Sequence, residues 1–245
     1  MISDKFLLLD LNMNIAELIK KTFIYRWYHH KTIAKAKEVQ KTRNMYFLQE
    51  GEEVLHNFSS ALNENGIMFW LEFGSLLGFY REHDFIKHDC DIDFGAYLED
   101  SVLIRSALEN KGFTLLHQYR SSDGGLEECY KYKHTTIDVF YFRQDEDLLY
   151  CNTFVLEDFY INRWFKKELK CSVKRISIPR NGFTKASYKG CDVNVPMNIE
   201  QHLQMHYGKS FMIPNPNFNY KKEASNIVYY DYADVKGYMR VYMEY

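Results

Sequence analysis

Three aspartates alternate over five residues in the first half of the chain. Asp89, Asp91 and Asp93 follow a polar loop, and residues 91–94 have the alternating pattern of a β-strand. Because side chains two residues apart on a strand share one face, Asp91 and Asp93 present their carboxylates together. Carboxylate oxygens are the ligands that hard cations such as Mg²⁺ prefer. The spacing predicts a metal site, in which Asp89 serves a second cation or only orients the loop.

A further aspartate, Asp138, lies inside the apolar segment 137–140. An uncompensated carboxylate is costly in an apolar strand, so we expect a metal ion or the proton of an acceptor hydroxyl as its partner. Two carboxylates on one strand and a third on a neighbouring strand describe a metal site for phosphoryl transfer. We therefore predict Asp91, Asp93 and Asp138 as catalytic residues and as ligands of Mg²⁺ or Mn²⁺.

Gly74 and Ser75 follow the apolar segment 67–71 and open a short helical turn through Tyr80. At a strand end, backbone N–H groups and a serine hydroxyl are suited to binding a phosphate. Arg81 can neutralise charge on a transferred phosphoryl group. The structural alternatives are that Ser75 caps its own turn and that Arg81 caps the end of a neighbouring helix.

The loop before the aspartates is rich in polar residues that lie close to the predicted metal site. They either contact the donor or the acceptor, or they are ordinary solvated loop residues. We include the following as candidate substrate-binding residues: Gly74, Ser75, Arg81, Lys87, His88 and Asp89.

The hydrophobic patterns around these residues predict the elements that position them. Strands are predicted over 67–71, 91–94, 113–119, 127–132 and 136–142, and helices over 45–62, 101–111 and 199–207. The segment 150–195 has weaker patterns, with short strands around Ile176 and Val193. Asn198 is a predicted helix cap and Gly208 a helix stop. Two prolines, Pro214 and Pro216, predict an extended tail after it.

Residues 14–42 place apolar side chains at helical spacing among many lysines and arginines. We expect a basic helical arm over 1–44, a catalytic domain over 45–220 and a C-terminal tail over 221–245. The arm packs on the catalytic domain or on a second subunit. Peripheral contact with a membrane surface is the alternative.

Composition excludes several classes of protein. The chain has 245 residues, of which 46% are apolar, enough for one sizeable domain. Its net charge of −2 lacks the basic excess of a protein that coats nucleic acid. No apolar run approaches the length of a spanning helix, and no signal peptide is recognisable. Five cysteines without a C-x-x-C pair indicate reduced thiols in a cytoplasmic protein.

Residues 67–95 resemble the LicD/fukutin family of phosphotransferases. The family signature is an apolar strand, then G-[ST]-L-L-G-x-x-R, then a D-x-D-x-D cluster. The matching residues here are Gly74, Ser75, Leu76, Leu77, Gly78, Arg81, Asp89, Asp91 and Asp93. The segments 70–74 and 137–140 look closer to the fukutin branch than to the bacterial choline branch. The segment 195–209 is similar to the closing motif of the family, in which we interpret Tyr207 and Gly208 as a structural helix stop.

The resemblance implies a nucleotidyltransferase-like α/β fold, with a mixed sheet flanked by helices, over about residues 45–220. It also implies transfer of a phospho-alcohol from a CDP-activated donor to a hydroxyl of a cell-surface glycan, with release of CMP. This sequence departs from the family pattern at His88, where the family usually has Trp, and at Cys90, where a carboxylate is common. These departures favour a polyol phosphate, such as ribitol or glycerol phosphate, over phosphocholine. Because the cysteine-rich zinc loop of some animal members is absent, we expect no structural zinc.

Two other classes of function compete with this one. A metal-dependent glycosyltransferase also uses D-x-D, but it usually places an apolar strand directly before that motif. Here the polar segment 84–88 precedes it. A non-catalytic nucleotide-binding domain would not need Asp91, Asp93 and Asp138 together.

Overall fold

The computed structural model describes residues 23–156, 168–215, 218, 224–231 and 233–243. The chain divides into two units, Met1–Arg43 and Asn44–Tyr245, and the second contains the sheet. The part of the predicted arm before residue 23 lies outside the described residues.

One long helix, α1 (Phe23–Glu64), stands where the sequence predicts two helices. Within the second unit, its apolar side chains Phe47, Leu55 and Phe58 are buried. The helix ends shortly before Gly66, whose positive φ of 66° is readily adopted by glycine. The amide of Ile67 returns to the carbonyl of Leu62 at 2.9 Å and satisfies one of the last helical acceptors.

The remaining elements form a mixed sheet with short helices, which confirms the predicted fold class. The helices are α2 (Phe73–Leu77), followed by a π-helical turn (Gly78–Glu82), α3 (Ser101–Asn110) and α4 (Ile199–Tyr207). The first strands are β1 (Phe69–Leu71), β2 (Asp91–Tyr97), β3 (Thr114–Ser121), β4 (Leu126–Tyr132) and β5 (Thr135–Asp145). The later strands are β6 (Leu148–Leu156), β7 (Glu168–Pro179), β8 (Phe183–Tyr188), β9 (Cys191–Pro196), β10 (Ile227–Tyr229) and β11 (Gly237–Val241).

Strand order places the predicted site at the junction of β2 and β5. The order is β1-β2-β5-β4-β3-β11-β7-β10, with β6 paired to both β5 and β7, and β8-β9 as a separate hairpin. Pairing of β6 with β5 and with β7 closes a ring of six strands. Only β2 and β5 run parallel among the described pairs, and the chain between them forms α3 and the antiparallel strands β3 and β4.

Two regions differ from the elements predicted from the sequence. The segment 150–195 contains four strands, β6 to β9, rather than short strands around Ile176 and Val193. In the range predicted as a tail, β11 lies inside the sheet between β3 and β7. β11 pairs with strands far away in the sequence, so local propensity does not determine its place, whereas β8 and β9 form a local hairpin.

The packing of Trp70 on Gly95 sets the close approach of β1 and β2. The two residues pair across the strands, and the buried indole lies directly over the glycine. A Cβ atom at Gly95 would lie 2.2 Å from the indole, which is much shorter than a van der Waals contact. The indole also stacks on Phe183 with ring centroids 4.2 Å apart. A side chain at position 95 would therefore displace the largest apolar group next to the site.

We expect Gly95→Ala to lower the free energy of unfolding by about 3 kcal/mol, because the added methyl group overpacks a rigid ring. In a Trp70→Leu background, the same glycine substitution should cost far less, since the indole is gone. Urea unfolding of the four proteins of this double-mutant cycle measures the coupling. Equal costs in both backgrounds would contradict the packing assigned to these two residues.

Candidate functional site

The parallel register of β2 and β5 brings the predicted carboxylates together. Asp93 lies directly opposite Asp138 on the neighbouring strand, and Asp91 lies opposite Thr136. Because Asp91 and Asp93 alternate on β2, all three side chains belong to one face of the sheet. All three are partly exposed. The structure therefore places three carboxylates together where a hard cation can reach them from solvent.

Asp89 joins this cluster from the preceding loop through the backbone of Gly74. A Cβ atom at Gly74 would lie 3.0 Å from Asp89 Oδ2 and 3.4 Å from Asp93 Oδ2. The Gly74 N–H donates to Asp93 Oδ2 at 3.2 Å. The side-chain amide of Asn44 donates to the carbonyl of Asp89 at 2.7 Å and holds the loop. Position 74 therefore needs a glycine because two carboxylates approach its backbone.

Ser75 has a structural role, but it is not the cap of its own turn that the sequence offered as the alternative, since Glu72 is the cap. Its hydroxyl oxygen accepts a hydrogen bond from the Asp93 N–H at 2.8 Å, and its side chain is buried. The Glu72 N–H donates in turn to the Asp93 carbonyl at 3.1 Å. The turn before α2 is thus joined to β2 on both sides of Asp93.

Phe73 has a strained backbone at the entrance to this turn. Its φ of 41° is uncommon for a residue with a bulky side chain. The ring packs edge-on against Phe140 at 4.7 Å and against His206 at 4.9 Å between centroids. Such strain persists only where the surrounding packing holds it, and it clusters at functional sites.

Burial and mutual repulsion act together on the carboxylates. Burial, followed by the charges of Asp91, Asp138 and Asp89, raises the pKa of Asp93 well above its usual value. Burial and the charge of Asp91 raise the pKa of Asp89 to about 6. Opposing these effects, the Gly74 N–H stabilises ionised Asp93. The cluster has the electrostatics of a site that binds positive charge.

The other candidate substrate-binding residues lie around the cluster. The Arg81 guanidinium donates to Glu82 Oε1 at 2.8 Å and to the Phe211 carbonyl at 3.0 Å, just after α4. Its charge also lowers the pKa of Asp89, as does that of His88. Lys87 and His88 are exposed. Arg81 therefore combines the structural alternative, a contact near a helix end, with proximity to the carboxylates.

Two residues near the cluster were missed by sequence reasoning. Burial and the charges of Asp93 and Asp89 raise the pKa of Tyr207 well above its usual value, so the phenol stays protonated beside them. Burial and the charge of Asp138 do the same for Glu127, whose Oε2 is buried without a hydrogen-bond partner. The Tyr-Gly pair of the closing motif was the available signal for Tyr207. The sequence carried no such signal for Glu127, because its proximity to Asp138 depends on the pairing of β4 with β5.

A buried polar network lies beneath the turn that carries Gly74 and was also missed. Glu72 Oε1 lies 2.6 Å from His202 Nε2 and 3.1 Å from His206 Nε2. The indole N–H of Trp70 donates to Glu72 Oε2 at 2.7 Å. Although burial opposes ionisation, the two imidazoles lower the pKa of Glu72 far below its usual value. The carboxylate is thus an ionised group held by three nitrogen atoms.

Carboxylates gathered at the junction of two parallel strands, beside a glycine turn that opens a helix, define a nucleotidyltransferase-like site. The model of one family, the LicD/FKTN/FKRP nucleotidyltransferase domain, matches residues 66–198, more than half of the chain. The chain therefore belongs to the LicD/FKTN/FKRP family. The matched region contains the whole aspartate cluster, but it ends before α4.

Relatives among known proteins agree with this assignment. The chain is 25% identical over 183 residues to human ribitol-5-phosphate transferase FKTN, covering 74% of this chain and 37% of that protein. A segment of 40 residues is 54% identical to human ribitol 5-phosphate transferase FKRP, covering 16% of this chain and 8% of that protein. The chain thus spans less than two fifths of the length of these relatives. The solved structure of ANT(2")-Ia with adenylyl-2"-tobramycin is 14% identical, with a TM-score of 0.41 over 70% of this chain and 83% of that one.

We expect Asp89→Asn to stabilise the protein in buffer free of divalent cations, by an amount that grows as the pH rises from 3.8 to about 6. The pKa of Asp89 is raised from 3.8 to about 6, so ionising it opposes folding. The penalty is absent below its unfolded pKa and complete above its folded pKa. The gain in unfolding free energy should be near zero at pH 4 and on the order of 1–2 kcal/mol at pH 8.

Urea unfolding at several pH values measures this gain, with the exposed Asp192→Asn as the matched control. The control should show no comparable rise between pH 4 and pH 8. A gain for Asp89→Asn that is the same at both pH values would contradict the repulsion assigned to the cluster.

Proposed function

We propose that this protein is a metal-dependent phosphotransferase. It moves a phospho-alcohol from a CDP-activated donor to a hydroxyl of a cell-surface glycan and releases CMP. The observation that carries the proposal is the register of β2 and β5, which puts Asp93 opposite Asp138 with Asp91 on the same face. Membership of the LicD/FKTN/FKRP family supports the same class of reaction.

The residues of the cluster fit a Mg²⁺ or Mn²⁺ ion. Oxygen donors from Asp91, Asp93 and Asp138 share a face, and burial together with their mutual repulsion raises the pKa of Asp93. A hard cation relieves such repulsion, and carboxylates are its preferred protein ligands. When bound, the ion supplies charge neutralisation for the donor diphosphate.

The chain's own groups account for the remaining chemistry. The acceptor oxygen forms a new bond to the phosphorus of the transferred group, while the bond from that phosphorus to the CMP oxygen breaks. Arg81 stabilises negative charge on the transferred phosphoryl group and on the departing CMP. Asp138 takes the proton of the attacking hydroxyl at a carboxylate oxygen, or shares the metal. The Tyr207 phenol, which stays protonated beside Asp89 and Asp93, donates a hydrogen bond to an oxygen atom of the CDP-activated substrate.

A polyol phosphate is the transferred group that we favour. The relatives FKTN and FKRP are named as ribitol phosphate transferases. His83, Lys87 and His88 are exposed in the segment that leads to Asp89 and offer hydrogen bonds that a polyol uses. Phosphocholine, in contrast, is usually bound by a cage of aromatic faces.

Contact with a membrane remains a prediction for the N-terminal arm. None of the described helices has the length and hydropathy needed to cross a membrane. A cytoplasmic location, with peripheral attachment at the inner face of the membrane as the alternative, likewise remains a prediction. So do the domain limits 1–44, 45–220 and 221–245.

We expect Asp93→Asn to lose transfer activity by about a thousandfold or more, because it removes a metal ligand and its charge. The same variant should be more stable than wild type without divalent cations, since it removes a buried repulsion. CMP release in the presence of Mg²⁺ and urea unfolding measure the two effects. Asp192→Asn is the control and should keep its activity. Activity of Asp93→Asn within about tenfold of wild type would exclude the metal role.

A competition between CDP-ribitol, CDP-glycerol and CDP-choline identifies the donor. We expect phosphorus-linked product on an acceptor oligosaccharide from one of the polyol donors, because polar side chains surround the cluster. Product from CDP-choline alone would overturn the polyol assignment. Product only from a UDP- or GDP-sugar would instead support the alternative, a metal-dependent glycosyltransferase.

A further inference from the structure

Glu72, His202 and His206 place three potential metal ligands within contact distance of each other. His202 and His206 are one helical turn apart on α4, and Glu72 precedes α2. All three side chains are buried, at 0%, 3% and 4% exposure. This cluster is separate from the aspartates, which lie partly exposed on the face of β2 and β5.

Two of the three distances between the ligand atoms are close to those around one small cation, and the third is shorter. Glu72 Oε1, His202 Nε2 and His206 Nε2 are separated by 2.6, 3.1 and 3.2 Å. A tetrahedral Zn²⁺ with bonds of about 2.0–2.1 Å keeps its ligand atoms about 3.3 Å apart. The three atoms therefore need to move by only a few tenths of an ångström to share an ion.

Hydrogen bonds among Glu72 Oε1, His202 Nε2 and His206 Nε2 satisfy these three atoms less well than a shared cation does. If both imidazoles donate to Glu72 Oε1, their two N–H groups lie side by side with the nitrogens 3.2 Å apart. If one imidazole donates to the other, its contact with the carboxylate is lost. A single cation makes all three contacts favourable at once, because each atom offers it a lone pair.

The surrounding groups orient these ligands. The Trp70 indole N–H holds Glu72 Oε2 at 2.7 Å and leaves Oε1 for the imidazoles. Asn226 Nδ2 lies 3.2 Å from His206 Nδ1. The other amide atom, Asn226 Oδ1, is buried and has no hydrogen-bond partner. Rotation of the amide by 180° presents Oδ1 to Nδ1–H, which leaves Nε2 as a metal ligand.

We propose that Glu72, His202 and His206 bind a Zn²⁺ ion, with a solvent molecule as the fourth ligand. Two imidazoles and one carboxylate form an established type of zinc ligand set, and histidines at i and i+4 of a helix are a common way to supply two of them. The ion joins α4 to the turn of Gly74 and Ser75, and so positions Tyr207, the residue after His206. The proposal replaces the expectation of no structural zinc, which considered cysteine ligands alone.

Metal analysis of the full-length protein tests the proposal without any measurement of transfer. After purification and desalting from a buffer with excess Mg²⁺, wild type should hold about one zinc ion per chain. His202→Gln and His206→Gln should each lower zinc occupancy by about tenfold or more. His134→Gln, an exposed histidine, is the matched control and should retain the zinc.

Asp93→Asn separates this site from the aspartate cluster. It should retain the zinc, because excess Mg²⁺ competes for oxygen ligands and not for a site with two imidazoles. Loss of zinc from Asp93→Asn with retention in both histidine variants would place the ion among the aspartates and overturn the proposal.

Cobalt substitution of wild type keeps the test decisive if the histidine variants fail to fold. Apo protein loaded with Co²⁺ should show the intense visible absorption of a four-coordinate ion, and Zn²⁺ should abolish it. The melting temperature of apo protein should also rise with added Zn²⁺. Wild type that holds less than about a tenth of an equivalent of zinc, and takes up neither Zn²⁺ nor Co²⁺, would show that the cluster is a hydrogen-bonded network alone.

Discussion

Mutual repulsion of carboxylates at the junction of β2 and β5 is the constraint that the rest of the site accommodates. Asp93 and Asp138 lie side by side on two paired strands, so the sheet holds their backbones next to each other. Burial and neighbouring negative charge raise the pKa of Asp93. This cost is met by backbone donors such as the Gly74 N–H and by a core that keeps both strands in place. A site of this kind gives up stability for affinity toward positive charge.

The supports of this cluster come from distant parts of the sequence and converge on one short turn. Trp70 packs on Gly95 and binds Glu72, which holds His202 of α4. The strained Phe73 follows, packed against the same helix, and the next two residues reach Asp93. A change at any of these contacts would therefore be transmitted to the carboxylates through the backbone.

Family membership and geometry bear on different aspects of function. The family model covers residues 66–198, which include every predicted ligand of the cluster but exclude α4. The relatives are much longer proteins, and the part of FKTN that matches is 37% of its length. The chemistry of the domain depends on the cluster itself. The histidines of α4 lie outside the matched region and have to be understood from their contacts.

Local patterns in the sequence were sufficient for several elements, among them β2 and α4, and for the grouping of the aspartates. Alternation predicted β2, a cap and a glycine predicted α4, and the placement of Asp138 in an apolar strand predicted its role as a partner of the cluster. These signals depend on neighbouring residues, which a sequence displays directly. The long strands of segment 150–195, the inner position of β11 and the contacts of Glu72 and Glu127 were decided by tertiary structure alone. The place of β11 and the contacts of Glu72 depend on segments that are far apart in the sequence. The strands of segment 150–195 and the neighbour of Glu127 depend on which strands pair and in what register, which hydrophobic patterns alone do not specify.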